Sequence, residues 1–139
     1  MMLPSRQKYS VLVVDDEEYI CQMMKTMLSG FPSIETIITC NTSQLAIQKL
    51  HNQEFDVIIL DNHMPNRLGL ELIQIIVNFK NVKAKQIIFM SGMMEDTEVV
   101  TAIKMGVKHF LIKPFTRDRL HLALKKVLNP PKKKKRPKS

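Results

Sequence analysis

The sequence predicts an α/β fold: a doubly wound (βα)5 sandwich with a five-stranded parallel sheet. Two observations predict it. Short, β-branched and nearly unbroken apolar runs recur five times along the 139 residues, and a stretch of helical periodicity follows each. Strands that are apolar nearly throughout require cover on both faces, the condition of a parallel sheet with helices on either side. Right-handed crossovers then leave the doubly wound topology.

The strands fall at Val11 to Val14, Thr36 to Thr39, Val57 to Leu60, Gln86 to Met90 and Phe110 to Ile112. Asp16 is placed to cap a first helix through about Leu28, with Ile20, Met23, Met24 and Met27 at three- and four-residue steps and Gly30 and Pro32 to stop it. Thr42 or Ser43 opens a second helix, from Leu45 to about Asn52. Gly69 to Phe79 supplies a third, with Leu72, Ile73, Ile76 and Phe79 on one side. A fourth runs from about Asp96 to Met105 before Gly106. The fifth begins at Thr116 and carries Leu120, Leu124 and Val127 toward Pro130.

Composition narrows the class. Hydrophobic residues make up 45% and charged residues 24%, an ordinary globular balance that fits one domain. The longest apolar runs fall well short of the roughly 18 residues needed to span a bilayer. The N-terminus MMLPSRQKYS also lacks a hydrophobic signal region, so a cytoplasmic protein with no transmembrane segment is expected. Cys21 and Cys40 have no C-x-x-C spacing and no nearby His pair, and are expected to be reduced packing residues. The formal net charge of +8 is uneven: residues 130 to 139 hold six basic groups and no acid, leaving 15 basic and 13 acidic groups elsewhere. Three units are therefore expected: an N-terminal extension over 1–8, a folded domain over 9–128 and a disordered Lys-rich tail over 129–139.

In doubly wound sheets the functional site lies beyond the carboxyl ends of the strands. Strand one ends in Asp15-Asp16, strand three in Asp61, strand four in Ser91 and strand five in Lys113-Pro114. Each alone is a common cap or turn former; three carboxylates, a hydroxyl and an amine on one edge are a constellation. Crowded carboxylates repel unless a cation lies among them. An all-oxygen set with no His or Cys partner favours Mg²⁺. With Mg²⁺ and Lys113 supplying positive charge, Asp61 could attack phosphorus and become an aspartyl phosphate.

Asp15-Asp16, Asp61 within LDNHMPN, Gly69, Ser91-Gly92, Phe110 and Lys113-Pro114-Phe115 resemble, in order and spacing, the receiver domain of bacterial two-component response regulators. The resemblance covers residues 9 to about 128. It implies the strand order 2-1-3-4-5, with Asp61 as phosphoacceptor. Mg²⁺ would be held by Asp16, Asp61 and the His63 backbone carbonyl, with Asp15 in support. Lys113 would pair with the phosphate next to a cis bond at Pro114, and Ser91 would hydrogen-bond a phosphoryl oxygen while Phe110 changes rotamer. The implied donors are a sensor histidine kinase or a His-containing phosphotransfer protein, and the implied output face is helix four, strand five and helix five. Such a chain is not an enzyme in the usual sense, since it catalyses only its own phosphorylation and dephosphorylation.

Some positions depart from the family pattern. His63, two residues after the acceptor, and Met93, two after Ser91, stand where water access to the phosphate is tuned, and Leu68 replaces a frequent Asp. Haloacid-dehalogenase-like phosphatases also use a strand-end Asp, but they need a second acid where this chain has His63. No G-x-G-x-x-G follows a strand and no P-loop motif occurs. A phosphorelay intermediate and a degenerate, phosphorylation-independent interaction module remain as alternatives. The fifth helix is expected to end near Val127, and the 12 residues that follow, 128 to 139, are too few for an output domain, so output is expected to pass through a partner. The PKKKKRPKS tail resembles a basic nuclear-localisation signal, but the same composition fits a plain solvated tail or a weak, salt-sensitive contact to nucleic acid, anionic lipid or an acidic partner protein.

Overall fold

The apolar runs and helical stretches alternate in space as they do in sequence. A computed structural model describes residues 7–64, 68–92 and 96–129. In chain order the elements are β1 (Tyr9–Val14), α1 (Glu18–Ser29), β2 (Ile34–Cys40), α2 (Ser43–Asn52), β3 (Val57–Asp61), α3 (Gly69–Ile76), a 3-10 turn (Ala84–Gln86), β4 (Ile87–Ser91), α4 (Asp96–Lys104), β5 (His109–Ile112) and α5 (Arg117–Leu128). The strands form one parallel sheet in the order β2-β1-β3-β4-β5. The tail residues 130–139 and Met93 lie outside the described residues.

Side chains alternate across each strand, and this divides the core in two. Leu12, Val14, Ile58, Leu60, Ile87 and Phe89 face Leu50 of α2, Leu72, Ile73 and Ile76 of α3, and Ala102 of α4. Val11, Val13, Val57, Ile59, Ile88 and Met90 face Met24 and Leu28 of α1 and Leu120 and Leu124 of α5. Strands β3 and β4 are buried along their whole length, which explains their unbroken apolar sequence. Each fully buried large side chain contributes about 1.5–3 kcal/mol.

Local signals set most boundaries. Thr42 and Thr116 cap α2 and α5 by accepting from the Leu45 and Arg119 backbone N–H groups, both at 3.1 Å. Gly106 follows α4 with φ of 99°, a conformation that suits glycine. Three expectations are corrected. Asp16 does not cap α1: the N-cap is Glu17, without a side-chain bond, and the helix starts at Glu18. Gln86 belongs to the 3-10 turn before β4, where its side chain accepts from the Lys83 backbone N–H, and is not part of the strand. Helix α3 stops at Ile76, and Phe79 lies in the turns that follow, stacked on His51 with ring centroids 4.2 Å apart.

Cys21 and Cys40 are free and buried, and burial pushes both thiols above their ordinary range, as suits inert packing residues. No helix among the described residues is long and apolar enough to cross a membrane.

Ile59 is fully buried at the sheet centre, whereas Ile112 is 58% exposed on an edge strand. Ile59→Ala is expected to lower the unfolding free energy by about 2–5 kcal/mol. Ile112→Ala should change it by less than about 0.5 kcal/mol. Urea titrations of both variants measure the contrast.

Candidate functional site

Because all five strands run the same way, their carboxyl ends share one edge, and the polar residues there meet. Asp15 and Asp16 follow β1, Asp61 closes β3, Ser91 closes β4 and Lys113 follows β5. Carboxylate oxygens of Asp15, Asp16 and Asp61 all lie within 4.8 Å of one another. Asp15 is fully buried, Asp61 is 3% exposed, and Asp16 is half-buried. The Lys113 ammonium closes the group, 3.0 Å from Asp15 Oδ2 and 3.2 Å from Asp61 Oδ1.

Each side chain is held by its backbone surroundings. The Asp15 N–H donates to the Cys40 carbonyl at 3.0 Å. Its carboxylate accepts from the Glu17 N–H at 2.9 Å, and its carbonyl accepts from the Cys21 thiol at 3.3 Å. Asp61 accepts a bond from the His63 backbone N–H, while the His63 side chain is exposed. The Lys113 N–H donates to the Ser91 carbonyl at 2.8 Å, and the Lys113–Pro114 bond is cis. Ser91 is fully buried. Phe110 lies on β5 with its ring edge-on to Phe89, centroids 6.4 Å apart.

Gly69 is placed by crowding. A Cβ there would stand 2.6 Å from the Asp61 carbonyl oxygen and 2.8 Å from both Asn62 Cα and the Phe89 ring. Only a residue without a side chain lets α3 start this close behind the acid, where the Gly69 N–H donates to the Asn62 carbonyl at 2.8 Å.

The electrostatics are those of an acid-rich site short of positive charge. Burial, and then the Asp15 charge, push the Asp61 carboxyl above its ordinary pKa of 3.8, against the opposing pull of Lys113. At Lys113 burial works against the ammonium, but its hydrogen bond to Asp15 and the charges of Asp61 and Asp15 outweigh it, and its pKa is raised. One ammonium therefore compensates three carboxylates incompletely. The all-oxygen donor set and the residual negative charge fit a hard divalent ion, and Asp16 and Asp61, backed by Asp15, are the residues that would hold it.

The sequence motifs pass over Asn62. It is 1% exposed, and its Nδ2 donates to Glu98 Oε2 of α4 at 2.6 Å. Between two charged or polar neighbours in a turn, an Asn reads as an ordinary turn former, and no local signal names a partner 36 residues away.

The architecture and the acidic edge together define a receiver-type fold. The family model of the response regulator receiver domain matches residues 11–125, and the chain belongs to that family. Among similar proteins, the transcription factor SKN7 of Candida albicans is 32% identical over 128 residues, covering 92% of this chain but 22% of that protein. The chemotaxis protein CheY of Bacillus subtilis is 32% identical over 124 residues, covering 87% of this chain and 98% of CheY. The solved structure of Vibrio cholerae chemotaxis protein CheY4 superposes with a TM-score of 0.80 at 28% identity, covering 86% of this chain and 98% of that one. The chain thus spans about a fifth of the fungal relative and nearly all of the bacterial one.

The raised Asp61 pKa fixes the sign of a pH effect. The folded state binds this proton more tightly than the unfolded state, so ionisation costs stability as pH rises from about the ordinary value through the folded one. Metal-free Asp61→Asn should therefore melt above wild type at neutral pH, with the gap closing below the ordinary Asp range. Thermal melts across a pH series check it. Gly69→Ala is expected to cost about 1–3 kcal/mol through overpacking against the Asp61 backbone, measured by denaturant titration.

Proposed function

We propose that residues 9–128 act as a phosphoacceptor switch. Asp61 takes a phosphoryl group from a histidine kinase or a His-containing phosphotransfer protein, and the phosphorylated form signals by altered partner binding. The observation that carries this reading is the cluster of Asp15, Asp16 and Asp61 oxygens within 4.8 Å, bridged by Lys113. The match of B. subtilis CheY over 98% of its length supports a receiver that acts through a partner.

In the transfer, an Asp61 carboxylate oxygen forms a bond to phosphorus as the P–N bond of the donor phosphohistidine breaks, and the electron pair leaves with the imidazole nitrogen. Bound Mg²⁺ would supply charge neutralisation to the transferring oxygens. The Lys113 ammonium, already 3.2 Å from Asp61 Oδ1, adds a second positive charge beside them. Asp15 holds Lys113 in place from a buried, doubly bonded position. The His63 N–H orients the Asp61 carboxylate, and the exposed His63 side chain stands two residues from the reacting atom.

Output is read at the edge of the sheet. Among the described residues, four of the seven exposed large hydrophobic side chains sit on the elements at that edge: Val100 and Ile103 on α4, Ile112 on β5 and Leu122 on α5. A groove of about 380 Å³ opens at Ile112 and Leu122, with Lys108, His109, Phe110, Arg119 and Lys126 among its walls. Burial and the nearby Lys126 and Lys108 charges lower the His109 pKa, which favours its neutral ring. Apolar residues ringed by cations suit a partner protein surface.

A small acyl phosphate with Mg²⁺ should label wild type and leave Asp61→Asn unlabelled. Lys113→Ala is expected to slow labelling by about 10²–10³-fold, the scale of losing one charge-stabilising donor. Undiminished labelling of Asp61→Asn refutes the acceptor. His63→Asn should change the decay rate of the label; an unchanged half-life would remove His63 from the control of phosphate lifetime.

A further inference from the structure

Helix α4 is weakly anchored. Among its described side chains, residues 97–104, only Ala102 is buried, whereas α1, α2, α3 and α5 each bury three side chains. With so little apolar burial, a single strong polar contact carries an unusual share of what positions the helix. That contact is the 2.6 Å hydrogen bond from Asn62 Nδ2 to Glu98 Oε2. The length is that of a charge-assisted bond. Its direction is set by chemistry, because turning the amide over would place its carbonyl oxygen against a carboxylate.

The other end of the contact is rigid. The Asn62 N–H donates to the Met90 carbonyl of β4 at 2.9 Å, and its carbonyl accepts from the Gly69 N–H at 2.8 Å. Asn62 therefore cannot follow α4 if the helix shifts; the bond must hold or break. The Asn62 Oδ1 is buried with no hydrogen-bond partner, so the present arrangement carries a standing desolvation cost. Asn62 is also the residue after Asp61, the group whose charge changes under the phosphoacceptor reading on which this inference rests.

We infer that the Asn62–Glu98 hydrogen bond is a latch tying the position of α4 to the charge on Asp61. Phosphorylation replaces the single negative charge of the Asp61 carboxylate with roughly −1.5 to −2 on the aspartyl phosphate at neutral pH, an added charge of about −0.5 to −1. Placed one residue from Asn62, it repels the Glu98 carboxylate and weakens the latch. Binding reciprocity requires the converse: an intact latch opposes the phosphorylated form, and its loss favours that form. Release frees the one helix that has little else to hold it, and Val100 and Ile103 move with it.

The test uses the full chain with Mg²⁺ and beryllofluoride, a phosphoryl mimic. Wild type, Asn62→Leu, Glu98→Ala and the double variant are titrated by calorimetry, with amide spectra of residues 97–104 recorded in parallel. Each single variant is expected to bind the mimic about threefold to tenfold more tightly, and the double variant no more tightly than either single. The α4 resonances of the mimic-free variants should lie displaced toward their mimic-bound positions. Glu98 is partly exposed, so Glu98→Ala keeps the test valid should Asn62→Leu fail to fold. Affinities equal to or weaker than wild type, or effects that simply add, overturn the latch and leave Asp61 as acceptor. Absence of mimic binding in wild type overturns the latch together with the phosphoacceptor reading.

Discussion

The Lys113 ammonium between Asp15 and Asp61 is the interaction on which the site depends. Three carboxylates with oxygens within 4.8 Å, two of them on nearly inaccessible residues, form an unfavourable arrangement in a folded core. Lys113 relieves part of it, at 3.0 and 3.2 Å from two of the acids, but one ammonium faces three carboxylates, and burial followed by the Asp15 charge still holds the Asp61 pKa above its ordinary value. That residual charge makes the edge receptive to a divalent ion. The protein trades some stability for a site that is completed by what it binds.

The parallel sheet makes the arrangement possible. Val57 to Leu60 are buried on both faces, so Asp61 is presented from a strand that has no freedom to move its end away from Asp15. Gly69 lets α3 begin directly behind that strand end, and the Cys40 carbonyl and the Glu17 N–H fix Asp15 from the other side. Rigidity at the strands contrasts with looseness at α4, where one alanine and one polar contact replace the apolar seam that holds every other helix. A fixed acidic edge beside a loosely held helix suits the proposed switch: chemistry needs defined distances, and signalling needs an element whose position is cheap to change.

Much of the fold was legible because the patterns that define it are local. All five strands and five helices lie where the apolar runs and helical steps put them, with disagreements at ends. Asp16 looked like a helix cap because an Asp before a helical run has that meaning in most chains, yet its carboxylate stands with Asp15 and Asp61 while Glu17 takes the N-cap position. Gln86 and Phe79 were misplaced by a residue or a turn, where a 3-10 segment and a run of turns interrupt regular geometry. The candidate site residues Asp15, Asp16, Asp61, Ser91 and Lys113 were legible for a different reason: a parallel sheet sends every strand's carboxyl end to one edge, so naming the last polar residue of each strand names the site.

The sequence by itself determined the class of fold, the division of each central strand between two cores, and the residues delivered to the acidic edge, since these follow from periodicity and strand direction. Tertiary structure alone decided how near the carboxylates come, how one lysine is shared between two of them, and that Asn62 reaches Glu98 across 36 residues. Those outcomes depend on the angles at which packed elements meet, and a linear pattern holds no record of such angles.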